Sequence, residues 1–360
     1  MFATIIISLI AILFAFLARY KKFSYGLEVA FIILTIFVAI RYNWGNDYES
    51  YLDSFLYVGS FSSFDPEILG TEPGWNFLYH ISQPIGFFGF IIILTVFEYF
   101  VIYRLIKKYV PVEWYWFSVF IFTFNSAYLL VTSSMMRQFL AMCIFIIAIE
   151  YIIKKRWIIS ILLILLASTF HTSALILLPF SFFGYLNISL TKSRPYIWFG
   201  VYLLLYFIAV ELLGDYFNLL LRLEQFKRYE VYLNDDKGGF GTGLGLIYNM
   251  ILYFVLLLHQ KYQSTNMKII YILFAISVFF YLFADIAPLT GRLGYYFSIF
   301  SIVCYPLLFY VMKNKLLKNL LLVGIIVVTL KGFIDFFDPS GIWFKAFYTY
   351  QTIFSASHWM

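Results

Sequence analysis

Long uninterrupted runs of apolar residues recur along this chain, and they constrain its fold more than any other feature of the sequence. A membrane-spanning helix needs about 20 mainly apolar residues, and many of the runs approach or reach that length. Only 12% of the 360 residues are charged, about half the proportion of a soluble domain. Because the runs are continuous, they favour helices over the alternating strands of a membrane barrel. The chain is therefore expected to be an all-α, polytopic integral membrane protein.

We predict about twelve transmembrane helices in a single membrane domain, each as long as a bilayer requires or somewhat shorter. The domain covers residues 1–360. The predicted spans are 2–18, 27–40, 85–103, 114–133, 138–153, 157–170, 172–187, 196–213, 244–260, 269–287, 293–312 and 316–334.

The charged residues predict how these helices are oriented. Cytoplasmic loops of membrane proteins are enriched in Lys and Arg. One alternate set of loops carries most of the 25 basic residues, and the other set carries most of the 19 acidic residues. The basic loops are therefore placed in the cytoplasm, and both chain termini outside. The net charge of +6 reflects these loops, so we predict no nucleic-acid partner.

Motifs for disulfides, metals and nucleotides are missing from the sequence. Cys143 and Cys304 both fall inside apolar runs, which excludes a disulfide framework and a cysteine-rich metal site. The short basic loops contain no Walker or dinucleotide motif. The two halves do not repeat each other, so an inverted-repeat transporter gains no support. We therefore expect chemistry on the outer face that needs no ATP.

Three long segments are predicted on the outer face, where functional residues concentrate in loops. They are residues 41–84, residues 214–243 and the tail 335–360. Segment 214–243 alternates apolar and charged residues at helical spacing, which is typical of an amphipathic helix at the membrane surface. Its closing glycines predict a hinge on which the segment closes over a substrate.

Within segment 41–84, one candidate acid begins a predicted helix. Asn46 and Glu49 resemble a capping box, which predicts a helix starting at Asp47. Tyr48 and Tyr51 then share one face of this helix. The simpler interpretation is a capped interfacial helix with its tyrosines at the level of the lipid headgroups.

A second candidate acid, Glu72, precedes Pro73, a favoured first residue of a helix, and Trp75 follows. The aromatic rings and carboxylates of segment 41–84 suit a sugar ligand. They equally suit a lid lying on the membrane, and the sequence leaves both interpretations open.

Two arginines stand at the outer ends of predicted spans, where a charge usually serves a function. Arg137 and Arg292 carry forked guanidinium groups, which suit the oxygens of a diphosphate. Each also has a structural alternative, because Arg137 can reach lipid headgroups and Arg292 can pair with Asp285.

His171 lies between two apolar runs of about 14 and 16 residues, each too short to cross a bilayer. Such a hairpin is expected to hold His171 below the outer surface, in protein or in a wet cavity. The residue is a candidate general base, a candidate diphosphate donor, or a turn residue satisfied by the backbone. No further His or acid stands three or four positions away, so no metal site is predicted.

Taken in series, these motifs resemble the EpsG family of polysaccharide polymerases, which is related to the Wzy-type O-antigen polymerases. The resemblance covers almost the whole chain. It rests on Arg41 with Gly45-x-Asp47-Tyr48-x-x-Tyr51, Glu72-Pro73-Gly74, Arg137-Gln138, Phe170-His171-x-Ser173-Ala174-Leu175, Arg292 with the aromatic residues after it, and Tyr350-x-Thr352-Ile353. Trp44 departs from the family pattern, which commonly has a small aliphatic residue there.

The resemblance implies a glycosyltransferase-C-like membrane fold with its active site on the extracytoplasmic side of the bacterial cytoplasmic membrane. It implies transfer of oligosaccharide repeat units carried on undecaprenyl diphosphate, for an exopolysaccharide, a capsule or an O-antigen. The glycosyl–diphosphate bond supplies the energy, so no cofactor and no metal is expected. A chain-length regulator, or co-polymerase, is the implied protein partner.

The expected roles follow from this reaction. Arg137 and Arg292 take up the charge of the leaving diphosphate. Asp47 or Glu72 positions or deprotonates the acceptor hydroxyl, and His171 binds the diphosphate or acts as the base. The candidate substrate-binding residues are Arg41, Tyr48, Tyr51, Trp75, Gln138 and Tyr350.

Three other functions share these ingredients. A flippase for the same lipid-linked units needs an alternating cavity, commonly built from pseudo-symmetric halves. An O-antigen ligase shares the Arg and His chemistry and differs in its acceptor. An O-acyltransferase needs a cytoplasmic site for its acyl donor, and the cytoplasmic loops are too short to suggest one.

Overall fold

The computed structural model describes residues 1–61, 63–65, 72–185, 195–208, 244–259, 265–284, 288–341 and 343–354. These residues are almost entirely helical, as the apolar runs predict. The predicted amphipathic segment 214–243 and residues 355–360 of the tail lie outside the described residues.

The α-helices are α1 Phe2–Leu17, α2 Gly26–Ala39, α3 Tyr48–Gly59, α4 Pro73–Ser82, α5 Gly86–Tyr109, α6 Tyr115–Phe124, α7 Ser126–Ser134, α8 Met136–Ile153, α9 Trp157–Phe170, α10 Pro195–Ile208, α11 Leu244–His259, α12 Thr265–Ala284, α13 Pro288–Ser298, α14 Ser301–Val311, α15 Lys315–Phe336 and α16 Phe344–Phe347. The 3-10 helices are Lys21–Phe23, Gln83–Ile85, Val112–Trp114 and Thr172–Phe182. Two short strands, β1 Arg41–Tyr42 and β2 Gln351–Thr352, pair antiparallel.

Four of the described helical segments are long and apolar enough to cross a membrane, namely Lys21–Ala39, Pro73–Tyr109, Met136–Ile153 and Lys315–Phe336. The number rises to six if each of two bent helix pairs, α6 with α7 and α13 with α14, is one span. Other apolar helices, α1 and α9 among them, are shorter than this. The chain is therefore an all-helical membrane protein, and the count of about twelve spans stays a prediction.

The chain divides into two compact units. One comprises Met1–Tyr185 and Tyr305–Met360, and the other comprises Leu186–Cys304. The second unit has its own aromatic core, in which the rings of Tyr202 and Tyr253 are buried with their centroids 4.5 Å apart. Of the candidate catalytic residues, only Arg292 belongs to this second unit, so the first unit is described in more detail.

Small residues allow α1 to pack closely against α2 and α6. Thr4, Ser8, Ala11 and Ala15 recur at helical spacing, and all four are completely buried. Lipid gives helices no hydrophobic reason to associate, so close approach at small residues provides the packing energy. Gly26 begins α2 at this contact, and a Cβ atom there would lie 2.1 Å from a backbone carbonyl oxygen of α1.

Basic residues at the end of α5 pair with acids of two neighbouring helices. Lys107 pairs with Glu28 at the start of α2. Lys108 and Arg104 pair with Glu150 near the end of α8, at 2.9 and 3.8 Å. These ion pairs bring together the same three helix ends that the charge pattern groups on one side of the membrane.

Away from these ion pairs, the chain has a break between α7 and α8 and another at the end of α9. The residue between α7 and α8 is Met135, which lies outside both helices. α9 ends at Phe170, and His171 has an extended backbone with φ −155° and ψ 111°. The 3-10 helix Thr172–Phe182 follows at once. The two short apolar runs around His171 thus form separate helical segments, as their lengths predict.

The predicted capping box at the start of α3 is wrong. The helix begins at Tyr48, one residue later than expected, and Asp47 is an N-cap whose side chain makes no capping hydrogen bond. Glu49 accepts a hydrogen bond from the Asn43 side chain at 2.7 Å. The turn residue Asn43, with φ 42°, thus hydrogen-bonds Glu49, the acid that was expected to cap the helix.

We expect Gly26→Ala to destabilise the first unit by about 1–3 kcal/mol, because the added methyl group overpacks the contact between α1 and α2. Thermal unfolding of the purified protein in detergent would measure this as a lower Tm. Gly332→Ala in α15 is the matched control, since a Cβ atom there meets no atom within 4 Å. An unchanged Tm for Gly26→Ala would contradict the close approach.

Candidate active site

Glu72 is the centre of a polar cluster built from three separate parts of the chain. Its Oε2 atom accepts a hydrogen bond from Arg137 Nη1 at 2.6 Å. Its Oε1 atom lies 3.2 Å from His171 Nδ1 and also 3.2 Å from the backbone nitrogen of Thr172. The Thr172 hydroxyl is 3.5 Å from the same oxygen. Both carboxylate oxygens are therefore occupied by donors.

The sequence around Glu72 explains its position at the start of α4. Pro73 takes the first helical position, as predicted, and Glu72 precedes it with extended backbone. The Glu72 carbonyl oxygen accepts the first two backbone hydrogen bonds of the helix, from Trp75 and Asn76. The side chain is thus fixed at a helix N-terminus, where the helix dipole favours a negative charge.

Gly74 brings the first turn of α4 against the end of α9. A Cβ atom at this position would lie 2.3 Å from the Thr169 hydroxyl oxygen and 2.9 Å from the Thr169 backbone oxygen. A larger residue would push the two segments apart. The Glu72-Pro73-Gly74 motif therefore allows α4 to pack against the end of α9, so that Glu72 reaches the start of the 3-10 helix after His171.

Arg137 reaches Glu72 because α8 begins immediately before it. The residue lies in the first turn of α8, so its side chain stands at the helix end. The side chain is 32% exposed, against 13% for Glu72 and 27% for His171. All three groups are therefore partly enclosed, and each keeps some surface open.

The environment of Glu72 keeps it ionised. Burial alone raises its pKa, but the hydrogen bond with His171, the charge of Arg137 and the Thr172 N–H together outweigh it. They lower the pKa of Glu72 to about 2. A carboxylate with so low a pKa is a weak base at neutral pH.

Tyr51 of α3 adjoins the same cluster. Burial raises the pKa of its hydroxyl, and the charge and hydrogen bonding of Arg137 oppose that rise. The charge of Asp47 acts on the same hydroxyl. Tyr51 therefore connects Arg137 with the acid at the start of α3.

Asp47 is exposed and lies beside the junction of α7 and α8. Its backbone N–H donates to the Ser134 hydroxyl at 3.1 Å. Gly45 allows this approach, because its φ of 126° is a backbone conformation that residues with a side chain rarely adopt. A Cβ atom at this position would lie 3.4 Å from the Ser134 Cα. The structure thus places Asp47 near the cluster, where its charge acts on the Tyr51 hydroxyl.

Arg41 is buried, with only 2% of its surface exposed, and its contacts are structural. Its guanidinium donates to the Val38 carbonyl at 2.6 Å, to the Thr95 hydroxyl at 3.3 Å and to the Ser133 carbonyl at 3.5 Å. It therefore joins α2, α5 and α7. Arg41 is thus enclosed by protein in this structure, and its expected role in substrate binding stays a prediction.

The aromatic residues expected along a sugar path form a packed core instead. Tyr48, Tyr51 and Trp75 are almost completely buried between α3, α4 and α5. Tyr51 and Trp75 have ring centroids 5.7 Å apart, and Tyr48 packs edge-on against Phe87. This packing has a simple reason, since aromatic rings at helical spacing bury their area against each other when two helices meet. The expected contact of these rings with a sugar stays a prediction.

Tyr350 joins the tail to α2, and Gln138 is enclosed by protein. The Tyr350 hydroxyl donates to the Phe37 carbonyl, and its ring stacks on the Phe37 ring at 4.2 Å. Next to it, Trp44 is fully buried and donates to the Phe347 carbonyl at 3.3 Å. The tail is thereby fixed beside β1. Gln138 is buried in α8.

Arg292 stands near the start of α13 in the second unit, and it is exposed. Its suggested partner Asp285 lies outside the described residues. The joint binding of a diphosphate by Arg137 and Arg292 therefore stays a prediction from the sequence.

The structure adds Thr172 and Gly74 to the site. Thr172 directly follows His171, and its short polar side chain at the start of a helical segment was the signal available in the sequence. The contact of Glu72 with both Arg137 and His171 had no such signal, since 65 and 99 residues separate these pairs. Among the described residues, no group of three His, Cys, Asp or Glu side chains is placed to hold a metal ion.

Comparison with known proteins gives one match. A family model described as the EpsG family matches residues 24–352. This range contains all the residues of the cluster. Neither the curated proteins nor the solved structures include a match to the chain.

The contribution of Glu72 to stability is expected to be lost in acid. The folded-state pKa of about 2 lies below the ordinary value of 4.5. Stability from this carboxylate is therefore complete above about pH 5 and falls as the pH drops towards 2. Glu72→Gln should lower the Tm at pH 7 by a few degrees and flatten the acid decline of the Tm between about pH 5 and pH 2.

Thermal unfolding in detergent over this pH range measures both effects. Glu49→Gln is the matched control, because the exposed Glu49 carboxylate in α3 is screened by solvent and contributes little. An acid decline that is equally steep in Glu72→Gln and the wild type would show that the cluster does not stabilise the fold.

Proposed function

The chain belongs to the EpsG family, and on that premise we propose that it polymerises oligosaccharide repeat units carried on undecaprenyl diphosphate. In general terms, the family makes the chain a membrane polymerase of polysaccharide biosynthesis. The proposed site of the reaction is the outer face of the bacterial cytoplasmic membrane. The growing chain moves from its lipid carrier onto the non-reducing end of a new repeat unit.

The observation that carries this proposal is the cluster of Glu72, Arg137 and His171. The residues come from three motifs that are far apart in the sequence, and the structure brings them within hydrogen-bonding distance. Glycosyl transfer from a diphosphate needs a cation for the leaving group and a base for the acceptor. A guanidinium and an imidazole held by one carboxylate provide these two groups without a nucleotide or a metal.

Arg137 is proposed to stabilise the leaving diphosphate. Its guanidinium has several N–H donors, and Glu72 is shown to engage Nη1. Tyr51 also hydrogen-bonds the guanidinium. The exposed part of the side chain, 32% of its surface, is proposed to donate to phosphate oxygens. Arg292 stays a second proposed diphosphate ligand, supported by its sequence motif.

Glu72 in turn keeps Arg137 in place. A side chain as flexible as arginine loses rotamer entropy when it is fixed, so an arginine already held by a carboxylate binds its ligand at lower cost. The net charge of the Glu72–Arg137 pair is zero. Negative charge that develops on a diphosphate is therefore stabilised by the N–H donors that Arg137 directs at it.

The function is tested first in a strain that lacks this gene. Its lipid-linked oligosaccharides are extracted, sized by mass spectrometry and assigned to a leaflet. A polymerase predicts single repeat units on the outer leaflet. Single units confined to the inner leaflet would indicate a flippase, and long lipid-linked polymer outside would indicate a ligase. Either result would reject the proposal.

We expect Arg137→Ala to reduce polymer formation at least about 100-fold, because one donor to a developing oxyanion contributes about that factor. Arg137→Lys should also be poor, since Lys lacks the forked geometry. Polymer from the complemented deletion strain, resolved on gels at matched protein levels, gives the comparison.

Arg104→Ala is the matched control for this experiment. Arg104 is also an arginine paired with a glutamate, but it lies at the end of α5, where it contacts Glu150. Polymer at the wild-type level is expected from it. Equal losses in Arg104→Ala and Arg137→Ala would show that the effect comes from folding and would remove Arg137 from the mechanism.

A further inference from the structure

The hydrogen bond between His171 and Glu72 determines which nitrogen of the imidazole carries a proton. Arg137 Nη1 and the Thr172 backbone N–H both donate to the Glu72 carboxylate and favour its ionised form. An ionised carboxylate only accepts hydrogen bonds, so we assign His171 Nδ1, at 3.2 Å from Glu72 Oε1, as the donor. In the neutral ring, the Nε2 atom then carries the lone pair.

Glu72 itself is poorly suited to be the base. Arg137 occupies its Oε2 atom, and His171 and Thr172 share its Oε1 atom. A proton arriving on either oxygen would replace one of these interactions. Its carboxylate is better suited to orient its neighbours, as a carboxylate does when it fixes the tautomer of a catalytic histidine.

We propose that His171 is the general base of the transfer, acting through Nε2, and that Glu72 is the positioning residue that fixes its tautomer and ring orientation. This inference rests on the proposed function and assigns one step within it. It also replaces the alternative in which His171 donates a hydrogen bond to the diphosphate, because neutral Nε2 accepts a proton.

The step is balanced as follows. The acceptor hydroxyl oxygen forms a bond to the anomeric carbon of the growing chain, and its proton passes to His171 Nε2. The bond between the anomeric carbon and the diphosphate oxygen breaks, and its electron pair stays on that oxygen, next to Arg137. The products are the extended chain, the polyprenyl diphosphate and an imidazolium, which Glu72 stabilises by its charge. Solvent then removes the proton from Nε2.

Among the described residues, charged groups of two neighbouring elements join His171 in the cluster. Glu72 contacts it from the start of α4, and Arg137 contacts the other oxygen of Glu72 from the start of α8. α9 and the 3-10 helix Thr172–Phe182 contain no charged residue. Tyr51 of α3 contacts Arg137, and the charge of Asp47 acts on the Tyr51 hydroxyl.

Two roles for His171 predict opposite slopes of rate against pH. A base must be deprotonated, so the rate rises with pH. A cationic donor to the diphosphate must be protonated, so the rate falls as the pH rises. Glu72→Gln removes the negative charge next to the imidazole, so the pH profile of the rate is expected to move to lower pH.

The experiment uses the full-length protein in lipid nanodiscs with its own substrate. The substrate is the undecaprenyl-diphosphate repeat unit purified from the deletion strain, and the rate of polymer formation is measured from about pH 5 to pH 9 to cover the range in which a histidine titrates. The variants are His171→Gln, Glu72→Gln and Asp47→Asn. His80→Gln in α4 is the matched control, because the His80 ring packs against Phe64 and lies two turns from Glu72.

In the wild type, the expected rate rises with pH. His171→Gln should lower kcat by about 10²–10⁴, the usual contribution of a general base, with KM little changed. Glu72→Gln should keep measurable activity, and its rise should move to lower pH. His80→Gln should match the wild type in rate and profile.

Four results would overturn the assignment. A wild-type rate in a folded His171→Gln variant would remove the base role. A wild-type rate that falls as the pH rises would favour the cationic donor. An Asp47→Asn variant that alone loses the rise would make Asp47 the base. An unshifted pH profile in Glu72→Gln would remove the positioning role. The Glu72→Gln profile and the wild-type slope can both be measured even if His171→Gln does not fold. Absence of polymer from the wild type would instead reject the proposed function.

Discussion

A carboxylate that is largely removed from water is stable only when donors surround it, and the donors of Glu72 come from two other parts of the chain. Arg137 contributes a charged donor from the start of α8, and His171 with Thr172 contributes two more from the end of α9. Neither the arginine nor the carboxylate would be as well placed alone, because an unpaired charge that is partly buried costs free energy. The cluster therefore links the starts of α4 and α8 to the end of α9.

Helix ends supply the polar groups that this arrangement needs. A helix interior satisfies its own backbone, but the first N–H groups and last carbonyl groups have no partner within the helix. In the first unit, α4 and α8 begin and α9 ends close together. The free N–H of Thr172 can thus bind a carboxylate. The short length of α9 and of the 3-10 helix after it is consequently part of how the site is built.

Buried polar residues and aromatic rings support the helices that carry the cluster. Arg41 donates to groups on α2, α5 and α7, and it fixes the junction from which α8 starts. Trp75 and Tyr51 fill the space between α3 and α4. Arg41 and Tyr51 belong to the family motifs, yet their contacts here are with protein. A motif residue can therefore serve the site by supporting it.

The sequence by itself determined the class of fold, the hairpin at His171, the start of α4 at Pro73 and the identity of the charged residues near the site. Each of these depends on local properties, namely the length of an apolar run, the geometry of proline or the rarity of charge in apolar surroundings. Only the tertiary structure decided that Glu72 joins Arg137 to His171, that Arg41 is enclosed and that the tyrosines pack in a core. These outcomes depend on which helix faces meet, and residues 65 or 99 positions apart leave no local trace of their contact. This separation along the sequence also explains why the sequence left three candidates for the base. The choice of His171 depends on its Nδ1-protonated tautomer, and that tautomer follows from the position of the Glu72 carboxylate.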